Sequence, residues 1–108
     1  RWVLTRGDAP PGWQALPSPQ ALGAAMPQAQ YLLVEGGAGA AAAFLGAGCV
    51  DRIAIYRAPI VIGGGRPGVE DFGLAALSAA HGRWALSRSS QLGKDRLEVY
   101  ERIPCSPA

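Results

Sequence analysis

Residues 31–48 read YLLVEGGAGAAAAFLGAG. Tyr31–Val34 is a continuous apolar run, the pattern of a strand buried on both faces. It stops at a carboxylate, Glu35, followed by two glycines. Ala38–Ala47 then carries strong helix formers, and Gly48 suits a helix C-terminus. Strand, glycine turn and helix in succession are the repeating unit of α/β folds.

Working outward, Trp2–Thr5 predicts a short strand, and Arg6–Pro19, with four prolines and two glycines, predicts a loop. Ser18 before Pro19 is a helix-start signal, with the helix running to about Met26 and Pro27 ending it. Beyond the central helix, Ile53–Tyr56 reads as a strand. Ala58-Pro59 interrupts it, and Ile60-Val61-Ile62 resumes it before Gly63-Gly64-Gly65. Leu74–Ala80 predicts a short helical turn. Trp84–Leu92 and Arg96–Arg102 are extended runs joined by Gly93-Lys94-Asp95, a three-residue hairpin connection. The tail Pro104–Ala108 is expected to fray. The order predicts an α/β fold: a mixed sheet with flanking helices and a C-terminal antiparallel hairpin.

Bulk properties narrow the function. The 108 residues allow one domain, and 49% hydrophobic with 17% charged residues is a globular composition. A net charge of +2 with scattered basic residues disfavours nucleic-acid binding. Cys49 and Cys105 are too few for a disulfide framework and read as reduced thiols of a cytoplasmic protein. The uncharged stretch between Glu35 and Asp51 is shorter than the roughly 20 residues of a membrane span and is broken by glycines. No membrane association is expected. The chain begins in a strand-like run without an initiator Met, so further sequence upstream is expected.

The centre of the chain also carries chemistry. The first amides of a helix lack internal partners, and the helix dipole favours an anion there. Glycine at such a turn lets a pyrophosphate approach the backbone. Gly37-Ala38-Gly39-Ala40-Ala41-Ala42 matches GxGxxA, and Arg57 stands where a dinucleotide-binding domain selecting a 2′-phosphate places a basic residue. The same pattern equally describes a helix packed on its neighbours through small residues. A dinucleotide domain of that kind also needs a further crossover after Arg57, where this chain runs into glycines and a hairpin.

Several ordered motifs together are more specific. LLVEGGAGAAAAFLGAGCVDRIAIYRAPIVIGGGRP, residues 32–67, closely resembles the reductase domain at the C-terminal end of bacterial riboflavin biosynthesis proteins of the RibD type. The shared features are Glu35-Gly36-Gly37, the small-residue helix, Gly48-Cys49-Val50-Asp51, Ala58-Pro59 and Gly63-Gly64-Gly65-Arg66-Pro67. The closing LGKDRLEVYERI, residues 92–103, is similar to that family's final hairpin.

The resemblance implies a dihydrofolate-reductase-like fold, with residues 1–108 as the C-terminal part of a RibD-type reductase domain. It implies an oxidoreductase using NADPH to reduce the ribosyl group of a 5-amino-6-(phosphoribosylamino)uracil-type intermediate to ribityl. Glu35 would contact substrate. Gly36, Gly37, Ala38, Gly39, Ala40, Ala41, Ala42 and Ala43 would hold the NADPH phosphates, and Thr5 and Arg6 would meet the 2′-phosphate. The Gly36–Gly37 peptide is often cis in such folds. Because the upstream half of the domain is not in the sequence, little activity is expected from this chain alone. A homodimer and the upstream remainder of the domain are the expected partners. A non-catalytic dimerisation or nucleotide-binding module of the same fold, or a related reductase with another substrate, are the alternatives.

Other polar residues read as structural. His81 suits a surface helix end, Asp51 a cap or ion pair before the Ile53 strand, and Arg66 a solvated loop. Ser87, Ser89 and Ser90 lack a partnering base. Trp13 reads as a cover for the core, Trp84 as core, and Cys49 as a small buried apolar side chain.

Overall fold

The computed structural model describes residues 1–104, so the expected fraying of the tail and Cys105 lie outside the described residues. The chain divides into two compact units. The first comprises Arg1–Cys49 and Arg66–Phe72; the second comprises Val50–Gly65 and the chain from Gly73 onward. The fold is α/β with parallel and antiparallel pairing, as expected. The two kinds of pairing occupy separate sheets rather than one.

In the first unit, β1 (Trp2–Leu4) pairs in parallel with β2 (Gln14–Leu16) in the register Val3 to Ala15. The ladder continues at both ends, through Gln14 N–H to Arg1 C=O and Thr5 N–H to Leu16 C=O, each 2.9 Å. Strand β2 lies inside the predicted loop. At three residues it is too short to show a period against its prolines and glycines. The predicted helix from Pro19 is a 3₁₀ turn, Pro19–Ala21, leading into a single α turn, α1 (Leu22–Ala25). Ser18 has the extended backbone of a cap but makes no side-chain capping bond.

Helix α2 (Ala38–Gly46) forms where its alanines predict. It ends on Gly48, whose φ of +69° lies in the left-handed region that glycine tolerates. Gly48 N–H bonds to Leu45 C=O and Cys49 N–H to Phe44 C=O, both at 3.1 Å. This double closure is a Schellman motif. Leu16, Ala42 and Phe44 are the buried hydrophobic residues of this unit.

Tyr31–Val34 departs from expectation. It lies outside any strand or helix, and Tyr31 and Leu33 are 93% and 79% exposed. The run is apolar enough for a central strand, but no described segment pairs with it. The Gly36–Gly37 peptide is trans, since no described peptide bond is cis.

The second unit is a three-stranded antiparallel sheet in the order β3 (Arg52–Arg57), β5 (Asp95–Arg102), β4 (Trp84–Leu92). The β4–β5 connection has two residues rather than three, because Leu92 pairs with Asp95. Gly93 at φ +60° takes the first central position, the place of glycine in a type II′ turn. Ser87 is the extra residue of a bulge between Leu86 and Arg88, and its hydroxyl donates to Val99 C=O at 3.1 Å. Leu97 and Val99 form the buried core here. Ile60–Ile62, predicted as a strand, is irregular, with Val61 98% exposed. Here too no described strand offers pairing.

Asp51 takes its predicted structural role. Its carboxylate accepts from Arg102 Nη2 at 2.9 Å, and its C=O accepts Arg102 N–H at 2.9 Å. Across the same strands, Arg52 Nε meets Glu101 at 2.7 Å. Glu98 receives Tyr100 Oη at 2.8 Å and faces Arg57 Nη2 at 3.5 Å. That hydrogen bond, then burial and the nearby carboxylate charge, raises the Tyr100 phenol above its ordinary value.

Candidate functional site

The site is assembled from four stretches of the first unit. Helix α2 is entered through Gly37, its N-terminal cap residue, which is extended (φ −69°, ψ −172°) and adds no side-chain cap. Ala41 N–H bonds back to Gly37 C=O at 3.1 Å, closing the first turn. The amides of Ala38, Gly39 and Ala40 therefore point out of the helix without intrahelical partners, at its electropositive end.

Helical spacing places Gly39, Ala42, Ala43 and Gly46 on one face. These four residues line an open cleft of about 660 Å³. Leu4, Thr5 and Arg6 line the cleft from the end of β1, and residues 17–20 close another side. The sequence-predicted residues Thr5, Arg6, Gly39, Ala42 and Ala43 thus share one cavity. Thr5 and Arg6 follow the last β1 residue, so the strand end sets their position. The Thr5 hydroxyl accepts the Gly7 N–H at 3.1 Å, which fixes the turn carrying Arg6. Arg6 itself is exposed and has no ion-pair partner among the described residues.

The remaining predicted residues lie outside the cleft lining. Gly36 and Gly37 form the turn into α2, and Ala38, Ala40 and Ala41 are its early residues off the cleft face. Gly36 approaches the helix so closely that a Cβ there would overlap the Ala40 Cβ. Glu35 is exposed on the irregular segment before the turn, directed by neither a strand nor a partner side chain.

The fourth stretch has no counterpart among the residues the sequence points to. Glu70, Asp71 and Phe72 complete the cleft. Glu70 N–H bonds to Ala38 C=O at 3.2 Å. Glu70 Oε2 lies 3.4 Å from the position of a Cβ on Gly39, and Phe72 C=O lies 3.3 Å from one on Gly46. The two glycines, seven residues apart on one helix face, are notches across which this segment runs. That spacing was the available signal that some segment crosses the helix, although it does not identify which one.

Residues set aside from the sequence behave as structural groups. His81 is exposed at the end of the 3₁₀ turn Leu77–Ala80. Trp13 is exposed and stacks under the Arg1 guanidinium at 5.7 Å. Cys49 is exposed rather than buried, because the Schellman closure places it beyond the helix end. Among the described residues no group of three or more His, Cys, Asp or Glu side chains could hold a metal ion. No helix among them is long and apolar enough to cross a membrane.

Comparison with known proteins places this arrangement. A family described as "RibD C-terminal domain" matches residues 20–97. Two curated relatives, each called riboflavin biosynthesis protein RibD, come from Mycobacterium tuberculosis strains CDC 1551 / Oshkosh and ATCC 25618 / H37Rv. Each is 41% identical to this chain over 66 residues, which is 61% of this chain and 19% of the relative. The chain therefore spans about a fifth of the length of these relatives. The family match runs from the 3₁₀ turn into β5 and contains Glu35-Gly36-Gly37, α2 and the Glu70–Phe72 crossing. With most of its length matched, and with the glycine turn and small-residue helix inside the match, the chain belongs to the RibD C-terminal domain family.

Proposed function

We propose that residues 1–108 are the C-terminal, NADPH-binding part of a RibD-type reductase domain. The domain would reduce the ribosyl group of a 5-amino-6-(phosphoribosylamino)uracil-type intermediate to ribityl, in riboflavin biosynthesis. The observation that carries this reading is the cleft in which Thr5 and Arg6 stand with the small-residue face of α2.

The residues present fit such a cofactor. Ala42 and Ala43 present nothing larger than a methyl group to the cleft, so a ligand can come close to the helix there. The amides of Ala38, Gly39 and Ala40 offer donors to a phosphate, and Gly36 allows the tight entry that presents them. Arg6 offers a charged fork for the 2′-phosphate that distinguishes NADPH from NADH. When bound, the cofactor supplies a hydride from the nicotinamide. The protein's task is then to hold two anionic partners face to face.

Glu35 lies just before the phosphate turn. A carboxylate repels a phosphate but accepts hydrogen bonds from ribose hydroxyls or pyrimidine N–H groups. It therefore faces substrate in this reading. Glu35→Gln in the intact reductase is expected to weaken the phosphoribosylamino-pyrimidine by about three- to tenfold, while NADPH affinity changes less than twofold. Separate binding titrations of the two ligands measure the split, and equal losses would sink the assigned role.

The exposed apolar side chains of Tyr31, Leu33, Val61 and Ile62 call for a cover. The upstream remainder of the reductase domain and a homodimer supply it in this reading. Multi-angle light scattering of the 108-residue chain is expected to report self-association. A clean monomer across the micromolar range would contradict it.

A non-catalytic module of the same fold is the second reading. It is favoured by the way residues 70–72 cross the Gly39 and Gly46 notches, where close packing alone would account for the glycines. Such a module need not bind NADPH saturably.

A further inference from the structure

Arg6 is not the only charged group of the cleft. Glu70 and Asp71 line it as well, so the fixed charges around the cavity do not all favour an anion. Glu70 has the sharper geometry. Its two carboxylate oxygens lie 3.4 and 3.9 Å from the Cβ position of Gly39, which places the carboxylate over the first turn of α2. Its N–H to Ala38 C=O bond, 3.2 Å, ties the residue to that same turn. A carboxylate there is an internal anion at the electropositive helix end, where a ligand phosphate would otherwise gain most.

We propose that Glu70 is a specificity-determining residue of this cleft: it limits affinity for the phosphates of a dinucleotide by occupying the helix end with negative charge. The inference rests on the cofactor-binding reading above and deepens it. Arg6 and Glu70 then act in opposition. The arginine draws the phosphate-bearing ligand in, and the carboxylate sets a ceiling on how tightly it is held. The carboxylate also accepts hydrogen bonds, so it favours ribose hydroxyls over phosphate in its immediate neighbourhood.

Glu70→Gln preserves shape and removes the charge. At the exposed Glu70 carboxylate, screened by water, one unit charge is worth about three- to tenfold in affinity for a nearby phosphate. The expected result is a three- to tenfold lower Kd for NADPH, with a parallel gain for inorganic pyrophosphate. Both gains should shrink between 50 mM and 500 mM salt, since only a charge effect is screened. Isothermal titrations of NADPH and pyrophosphate into the original chain and Glu70→Gln read this out. NADPH binding to both proteins with equal affinity would overturn the role of Glu70 and leave the cofactor reading standing. Failure of both ligands to bind either protein would overturn both. A gain that persists unchanged at high salt would assign the effect to loosened packing and also overturn the proposal.

Discussion

Gly36→Ala is expected to destabilise the first unit by about 2–3 kcal/mol, near the upper end for overpacking. The new methyl would overlap the Ala40 Cβ. That carbon is bonded directly to the helix backbone and has no rotamer in which to move away. The turn at Gly36–Gly37 must shift, and with it the amides of Ala38, Gly39 and Ala40. The effect is steric, since Gly36 is not among the glycines with positive φ. A second substitution tests this cause. Ala40→Gly alone should cost about 1 kcal/mol, the ordinary loss for glycine inside a helix. Combined with Gly36→Ala it should restore much of the lost stability, because it removes the overlapping methyl. Urea denaturation of the single and double variants measures the coupling. Losses that simply add, or a Gly36→Ala protein as stable as the original, would contradict the close approach.

The same region shows what the sequence could and could not reveal. Helix α2 was legible because its propensity and its glycine stop are local properties. The β4–β5 hairpin was legible for the same reason, with Gly93 marking the turn and only its length misjudged. The runs at residues 31–34 and 60–62 were misread as strands. Hydrophobic pattern reports that a segment suits burial. It does not report whether a partner exists to satisfy its backbone, and among the described residues none pairs with either run. Strand β2 failed in the opposite direction: its partner β1 made a strand of three residues in a proline-rich stretch. In the site, the GxGxxA motif at Gly37–Ala42 is visible from spacing, and Thr5 and Arg6 from resemblance. Glu70 was not, since a carboxylate in a glycine-rich loop has no local signature. Its position over Gly39 is a contact between residues thirty-one apart in the chain.

Arg6→Gln is expected to reduce NADPH affinity by at least tenfold and to leave NADH affinity within twofold. A charge-assisted hydrogen bond to a phosphate is worth about 1.5–3 kcal/mol, and exposure of Arg6 places the effect at the lower end. NADH lacks the 2′-phosphate, so it has nothing to lose. Arg6 is suited to this role by its place in the cleft beside the α2 face and by its lack of an ion-pair partner among the described residues. A structural role would move the thermal melting temperature, and none is expected here because the side chain is exposed. The neighbouring Thr5 hydroxyl is already engaged with the Gly7 amide, so its contribution should be smaller.

In the reading proposed above, this cleft holds a 2′-phosphorylated nicotinamide dinucleotide. Titration of the 108-residue chain with NADPH and with NADH, followed by nicotinamide fluorescence, tests it most directly. Saturable NADPH binding is expected, at least tenfold tighter than NADH, with the difference abolished by Arg6→Gln. Absence of saturable NADPH binding, or equal affinity for the two nucleotides, would contradict it.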